Sequence, residues 1–220
     1  MSLTGPARNA ASGTASSLVV LLHGYGADGA DLIGLADPLA PHLPDTEFRA
    51  PNAPEPCSVN PMGRQWFPIP WIDGSSEAQA RAGMLRAAEA LDAWLDALAT
   101  ETGIGPERTV LVGFSQGTMM SLHVAPRRRT PLAGIVGFSG RLLAPEMLAS
   151  ETVSRMPILL VHGDRDDVVP PAAMPEAAEA LRCAGFPVAT HVSRGTAHGI
   201  APDGLGLALG FIRQRLGIDG

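Results

Sequence analysis

Apolar residues recur along the chain in two distinct patterns. Unbroken runs occur at 17–22 (SLVVLL), 109–114 (TVLVGF), 132–140 (LAGIVGFSG) and 157–163 (PILLVHG). Runs without alternation read as strands buried on both faces. Between them, apolar residues return at helical spacing. Leu32, Leu35, Ala36 and Leu39 predict a helix after Asp28. Ala82, Leu85, Ala88, Leu91, Leu95 and Leu98 predict one face of a helix over 75–100, with Ser75 or Ser76 as its cap and Gly103 just past its end. Further helices are predicted over 172–183 and 202–216, a short strand over 47–50, and an alternating last strand, VATHVSRG, near the sheet edge. Strands alternating with helices predict an α/β fold with a mostly parallel central sheet and helices on both faces.

Two stretches break the pattern. Residues 1–16 are small and polar and predict a flexible N-terminal segment, leaving 17–220 as one domain without repeats or linkers. Residues 51–74 form a long proline-rich connection carrying Trp66, Phe67, Ile69 and Trp71. Connections of this length without regular structure are uncommon in compact domains and often functional.

Composition narrows the class. At 220 residues, 45% hydrophobic and 17% charged, the chain is globular rather than disordered. A net charge of -6, with Arg127, Arg128 and Arg129 as the one short basic run, argues against nucleic acid as a partner. That run follows a helix pattern and reads as a solvated helix end. Cys57 and Cys183 stand in unrelated contexts, so no zinc cluster is expected and nothing demands a disulfide. The N-terminus lacks the apolar core of a secretory signal and no stretch is long enough to span a membrane, so the expected location is the cytoplasm. A homodimer is compatible with the sequence.

The chemistry enters at GFSQG, residues 113–117. A lone G-x-S-x-G is weak, but this one follows a buried-strand run and opens an apolar helix pattern. That context lifts a serine hydroxyl above the end of a strand, beside a helix N-terminus that favours a developing anion. Ser115 is the candidate nucleophile. A second GFS at 137–139 lacks the closing glycine and the helix, so Ser139 reads as a turn residue. A serine needs a base, and the base needs an orienting partner. In the chain order nucleophile, acid, histidine, the remaining histidine in a glycine-flanked loop after a strand is His198. The acid belongs in HGDRDDVVP, where Asp166 is the first choice ahead of Asp167 and Asp164. Backbone N–H groups of Gln116 and of Tyr25, in the glycine-rich HGYGADG, are the candidate oxyanion donors. His23 reads as a brace for that loop.

Taken together, LLHGYGADGADLIGLA, RAPNAPEP, GRQWFPI, GFSQGTMMSL, HGDRDDVVP and AHGI resemble the phospholipase/carboxylesterase family, which includes the acyl-protein thioesterases. The resemblance implies the α/β-hydrolase fold without a large lid domain, no cofactor or metal, and hydrolysis of small carboxylic esters by a serine esterase. Some family members cleave acyl-protein thioesters or lysophospholipids. Position by position it implies Ser115 as nucleophile, Asp166 as orienting acid, His198 as base, and the Tyr25 and Gln116 amides as the oxyanion hole. Trp66, Phe67, Ile69 and Trp71 are candidates for an acyl wall, and short-to-medium acyl esters are the expected substrates. All three triad types being present argues against a non-catalytic binding module.

Overall fold

The computed structural model describes residues 3–218. In chain order its elements are β1 (Ala7–Arg8), β2 (Ser17–Leu22), α1 (Gly29–Ile33), α2 (Ala36–Leu39), β3 (Thr46–Arg49), β4 (Glu55–Pro56), β5 (Arg64–Gln65), α3 (Pro70–Asp73), α4 (Glu77–Thr102), β6 (Thr109–Phe114), α5 (Gln116–Val124), β7 (Gly134–Phe138), α6 (Leu148–Glu151), β8 (Ile158–Gly163), α7 (Ala173–Cys183), β9 (Val188–Ser193) and α8 (Pro202–Leu216). The unbroken apolar runs are indeed strands. They lie in a seven-stranded sheet ordered β1-β3-β2-β6-β7-β8-β9, and β4 and β5 form a separate two-stranded ribbon.

Each central strand is apolar on both faces because both faces are covered. Leu18, Val20 and Leu22 of β2 pack into one core with Leu91 and Leu95 of α4, Met120 of α5 and Leu181 of α7. Val19 and Leu21 of the same strand pack into the other, with Leu32 and Leu39 of α1 and α2 and Ile212 of α8. The pairings β3/β2, β2/β6, β6/β7, β7/β8 and β8/β9 are all parallel, so these strands end on one common edge. The chain runs from β2 outward to β3, then returns to β6 on the other side of β2. That reversal opens a crevice between the carboxyl ends of β2 and β6, where α/β sheets characteristically hold their ligands.

Helix α4 starts at a capping box. Ser76 Oγ accepts from the Gln79 amide at 3.2 Å, and Gln79 Oε1 accepts from the Ser76 amide at 2.8 Å. It stops at Gly103, whose φ of 70° is the left-handed turn that glycine adopts without a Cβ penalty. Its buried face is Gly83, Ala87, Leu91, Leu95 and Leu98. Each fully buried leucine there contributes about 1.5–3 kcal/mol. Of the expected face, Ala82 is exposed and Leu85 points outward at 46% exposure. Six residues separate Leu85 from Leu91, which places it well off that face at 3.6 residues per turn.

The N-terminal segment also differs from its expectation. Ala7–Arg8 adds an antiparallel edge strand to β3, and Leu3 and Ala10 are buried. Short polar residues suit an edge strand as well as a loose tail, and only pairing distinguishes them. Met1 and Ser2, also in that expected segment, lie outside the described residues. The 51–74 connection is not wholly irregular either, since it contains the β4–β5 ribbon and the short α3. Both cysteines are free, Cys57 buried and Cys183 exposed. Among the described residues, no helix is long and apolar enough to cross a membrane.

Candidate active site

Ser115 sits where β6 turns directly into α5, with φ 53° and ψ -114°. A non-glycine residue in such a conformation is strained and persists only where its surroundings enforce it. Two close approaches do so. A Cβ on Gly117 would stand 1.8 Å from the Leu22 carbonyl oxygen, and one on Gly113 would stand 2.4 Å from the Thr118 nitrogen. Strand and helix therefore meet at a distance that only glycine permits on either side of the serine. Ser115 does not cap α5 with its side chain. Its amide is held by the Phe138 carbonyl at 2.9 Å, so the backbone is fixed and the hydroxyl is left without a structural task.

His198 and Asp166 meet on the same edge. His198 Nδ1 lies 2.8 Å from Asp166 Oδ2, and the other carboxylate oxygen accepts from the Val168 and Val169 amides at 3.0 and 2.9 Å. Burial alone would push the Asp166 carboxyl up. The bond from His198 and the two amides outweigh it and hold the group below the ordinary carboxylate range. A charged Asp166 fixes the His198 proton on Nδ1 and leaves Nε2 as the free base. The neighbouring acids have other places: Asp164 accepts from the Gly195 amide at 2.6 Å and so tethers the His198 loop, and Asp167 is exposed.

Phe114, the residue before Ser115, packs against the His198 ring. The Phe114 and His198 ring centroids are 4.9 Å apart. No hydrogen bond joins Ser115 Oγ to His198, a contact that in substrate-free enzymes often tightens only on binding. Two other histidines lie away from this contact. His123 is buried in α5, its basicity pushed down to about 4 by burial and by Arg127. His191 bonds Asp203 at 2.7 Å.

The loop after β2 forms the opposite wall. A Cβ on Gly24 would stand 3.3 Å from Ser115 Cβ, so this loop passes directly over the serine. His23 beneath it is fully buried. Its Nε2 accepts from the Ala53 amide at 3.0 Å, so Nδ1 carries the proton and donates to the Gly24 carbonyl at 2.8 Å. Among the described residues, neither the Tyr25 nor the Gln116 amide donates to a protein acceptor. The Tyr25 hydroxyl donates to Asp73 at 3.2 Å and lies 3.0 Å from Ser58 Oγ, anchoring this loop to the 51–74 connection.

Burial, followed by the neighbouring Cys57 and Asp73, pushes the Tyr25 phenol up to about 12. Tyr25 is the single tyrosine of the chain, so alkaline titration of tyrosinate absorbance reads it alone. The folded protein is expected to titrate near 12 and the unfolded chain near 10. A raised phenol favours the neutral form. Its contribution to stability is complete below about pH 10 and is lost as pH rises through about 12. A folded midpoint equal to the unfolded one would mean that the anchor is absent in solution.

Two residues of consequence were not evident from the sequence. The Gln116 side chain, fully buried, accepts from the Trp66 amide at 3.0 Å and donates to the Phe67 carbonyl at 2.7 Å, clamping the long connection to the start of α5. His162 is buried at the end of β8. Its Nε2 lies 2.9 Å from the Val169 carbonyl and 3.2 Å from Asp166 Oδ2. A carbonyl only accepts, so this nitrogen carries a proton and faces the carboxylate beside His198. Its position four residues before Asp166 at a strand end is the signal that could have pointed to it.

The expected acyl wall is only partly placed to touch a substrate. Trp66 has no exposed surface. It packs in the core, and its indole N–H donates to the His23 carbonyl at 2.9 Å. The Gln116 clamp turns this residue inward, so Trp66 is corrected from wall to core. Phe67 and Ile69 are each 8% exposed, whereas Trp71 stands 69% exposed.

Residues 6–216 match the family model described as Phospholipase/Carboxylesterase. Esterase YpfH of Escherichia coli (strain K12) is 31% identical over 204 residues, covering 92% of this chain and 84% of that protein. Acyl-protein thioesterase 1 of Gibberella zeae is 29% identical over 215 residues, 91% of each chain. Among solved structures, esterase PE8 superposes with a TM-score of 0.93 at 48% identity, over 98% of this chain and all of that one.

Proposed function

The chain belongs to the phospholipase/carboxylesterase family and is an ester hydrolase, and on that premise we propose that it works as a serine carboxylesterase through an acyl-enzyme on Ser115. The observation that carries the reading is the strained Ser115 between the Gly24 loop and the Phe114–His198 contact, with His198 Nδ1 bonded to Asp166. Ser115 Oγ attacks the ester carbonyl carbon as His198 Nε2 takes its proton. The carbonyl oxygen becomes an oxyanion and receives the Tyr25 and Gln116 amides, each such donor being worth about 10²–10³ in rate. Collapse breaks the bond to the leaving oxygen, which takes the proton from His198. Water then attacks the acyl-enzyme, His198 accepts its proton, and the carboxylic acid leaves as Ser115 is restored.

The substrates proposed are small esters of short-to-medium acyl chains. The likeness to an acyl-protein thioesterase makes thioesters the second class for the same site. A thiolate leaves more readily than an alkoxide and depends less on proton donation from His198. Treatment with a fluorophosphonate is expected to place one adduct on Ser115, and a 4-nitrophenyl ester series is expected to peak at short-to-medium length. Absence of the adduct would favour a non-catalytic binding protein. A rate that rises to the longest chains would overturn the substrate range.

A further inference from the structure

Between the segments that follow the carboxyl ends of β7 and β8 lies a cleft of about 330 Å³, lined by neither Ser115 nor His198. Its walls are mostly apolar: Leu142, Pro145, Pro170 and the alanines at and before the start of α7. Its charged residues are Arg141 and Glu176. Both ends of the wall grow out of the site. Arg141 follows Gly140, on which a Cβ would stand 3.0 Å from the Ser115 carbonyl oxygen. Pro170 follows Val169, whose amide bonds Asp166 at 2.9 Å. The space equals that of about ten water molecules at ~30 Å³ each, enough for a short acyl chain.

Arg141 is set up as a receptor rather than as a structural cation. Among the described residues it forms no ion pair with a carboxylate, unlike Arg127 and Arg128, which are paired with Glu151 and with Asp92 and Asp96. Its guanidinium carbon lies 5.6 Å over the Trp71 ring. Stacking on an aromatic face steadies the guanidinium plane while its N–H edge stays free for a planar anion such as a carboxylate. This is also the place of Trp71 in the site: it supports the cation rather than walling the acyl chain.

We propose that the cleft receives the acyl part of the ester, and that Arg141 makes the enzyme prefer acyl groups ending in a carboxylate, the half-esters of dicarboxylic acids. The inference rests on the Ser115 reading above and names its substrate class. The acyl side is indicated because the leaving oxygen must face His198, and the loop carrying His198 contributes nothing to the cleft. Glu176, on the α7 side, repels a carboxylate and so confines it to the Arg141 end.

The test compares mono-4-nitrophenyl adipate with its neutral methyl ester, which share the leaving group and chain length. The quantity read is the ratio of kcat/KM for the charged substrate to that for the neutral one. In Arg141→Met this ratio is expected to fall about fivefold, the scale of a partly exposed ion pair. In Glu176→Gln it is expected to rise, and added salt should shrink the wild-type preference. An unchanged ratio in Arg141→Met, or an equal loss on both esters, would overturn the proposal while leaving the Ser115 reading intact. If wild-type protein hydrolyses neither ester, both fall together.

Discussion

Replacing Ser115 with alanine is expected to lower 4-nitrophenyl ester turnover by roughly 10⁴- to 10⁶-fold in a protein that remains folded. The two halves of this outcome have separate causes. Turnover falls because the mechanism proposed makes the hydroxyl the attacking group, and what survives is the rate that binding and the proposed oxyanion amides supply. The fold survives because the hydroxyl does not cap α5, and alanine keeps the same Cβ at the φ of 53° that the turn imposes. Steady-state rates, with circular dichroism and the thermal midpoint alongside, check both. Near wild-type turnover would remove Ser115 from the mechanism. A collapsed midpoint would show that the side chain has a structural role.

Asp166→Asn is expected to cost about 10⁴ in kcat, through the wrong histidine tautomer. The Val168 and Val169 amides demand an acceptor, so they hold the new amide oxygen where Oδ1 now sits. The NH₂ group then faces His198 Nδ1, which must accept, and the His198 proton moves to Nε2. A protonated Nε2 cannot take the proton of Ser115. The same NH₂ also meets the protonated His162 Nε2, now 3.2 Å from Asp166 Oδ2, so a favourable contact becomes donor against donor. Asp166 titrates below the ordinary carboxylate range when folded. Its stabilising contribution is therefore complete above an unfolded value of about 3.9 and is lost as pH falls through the folded one. Asn at this position should flatten that part of the acid unfolding profile. Wild-type kcat in Asp166→Asn would sink the assignment of the acid.

How far the sequence reached can be judged on particular residues. The strands were legible because an unbroken run such as SLVVLL has no polar face to give to water and must lie between two covering layers. GFSQG was legible because the turn it makes tolerates only glycine where Leu22 and Thr118 approach, and that demand is local. Asp166 and His198 followed from chain order, since parallel strands bring all their ends to one edge whatever the separation in sequence.

Trp66 and Trp71 mark the limit. Both are aromatic, both lie in the same connection, and no periodicity separates them. One is sealed in the core and the other supports Arg141 at the surface, because Gln116 clamps the chain at Trp66 and Phe67. His162 beside Asp166, the edge strand at Ala7–Arg8 and the cleft under Arg141 are of the same kind. Hydrophobic pattern and turn chemistry act over a few residues and determine the elements, the sheet and the serine turn. Which loops then touch depends on hydrogen bonds between segments remote in sequence, and those exist only once the sheet has set the loops side by side.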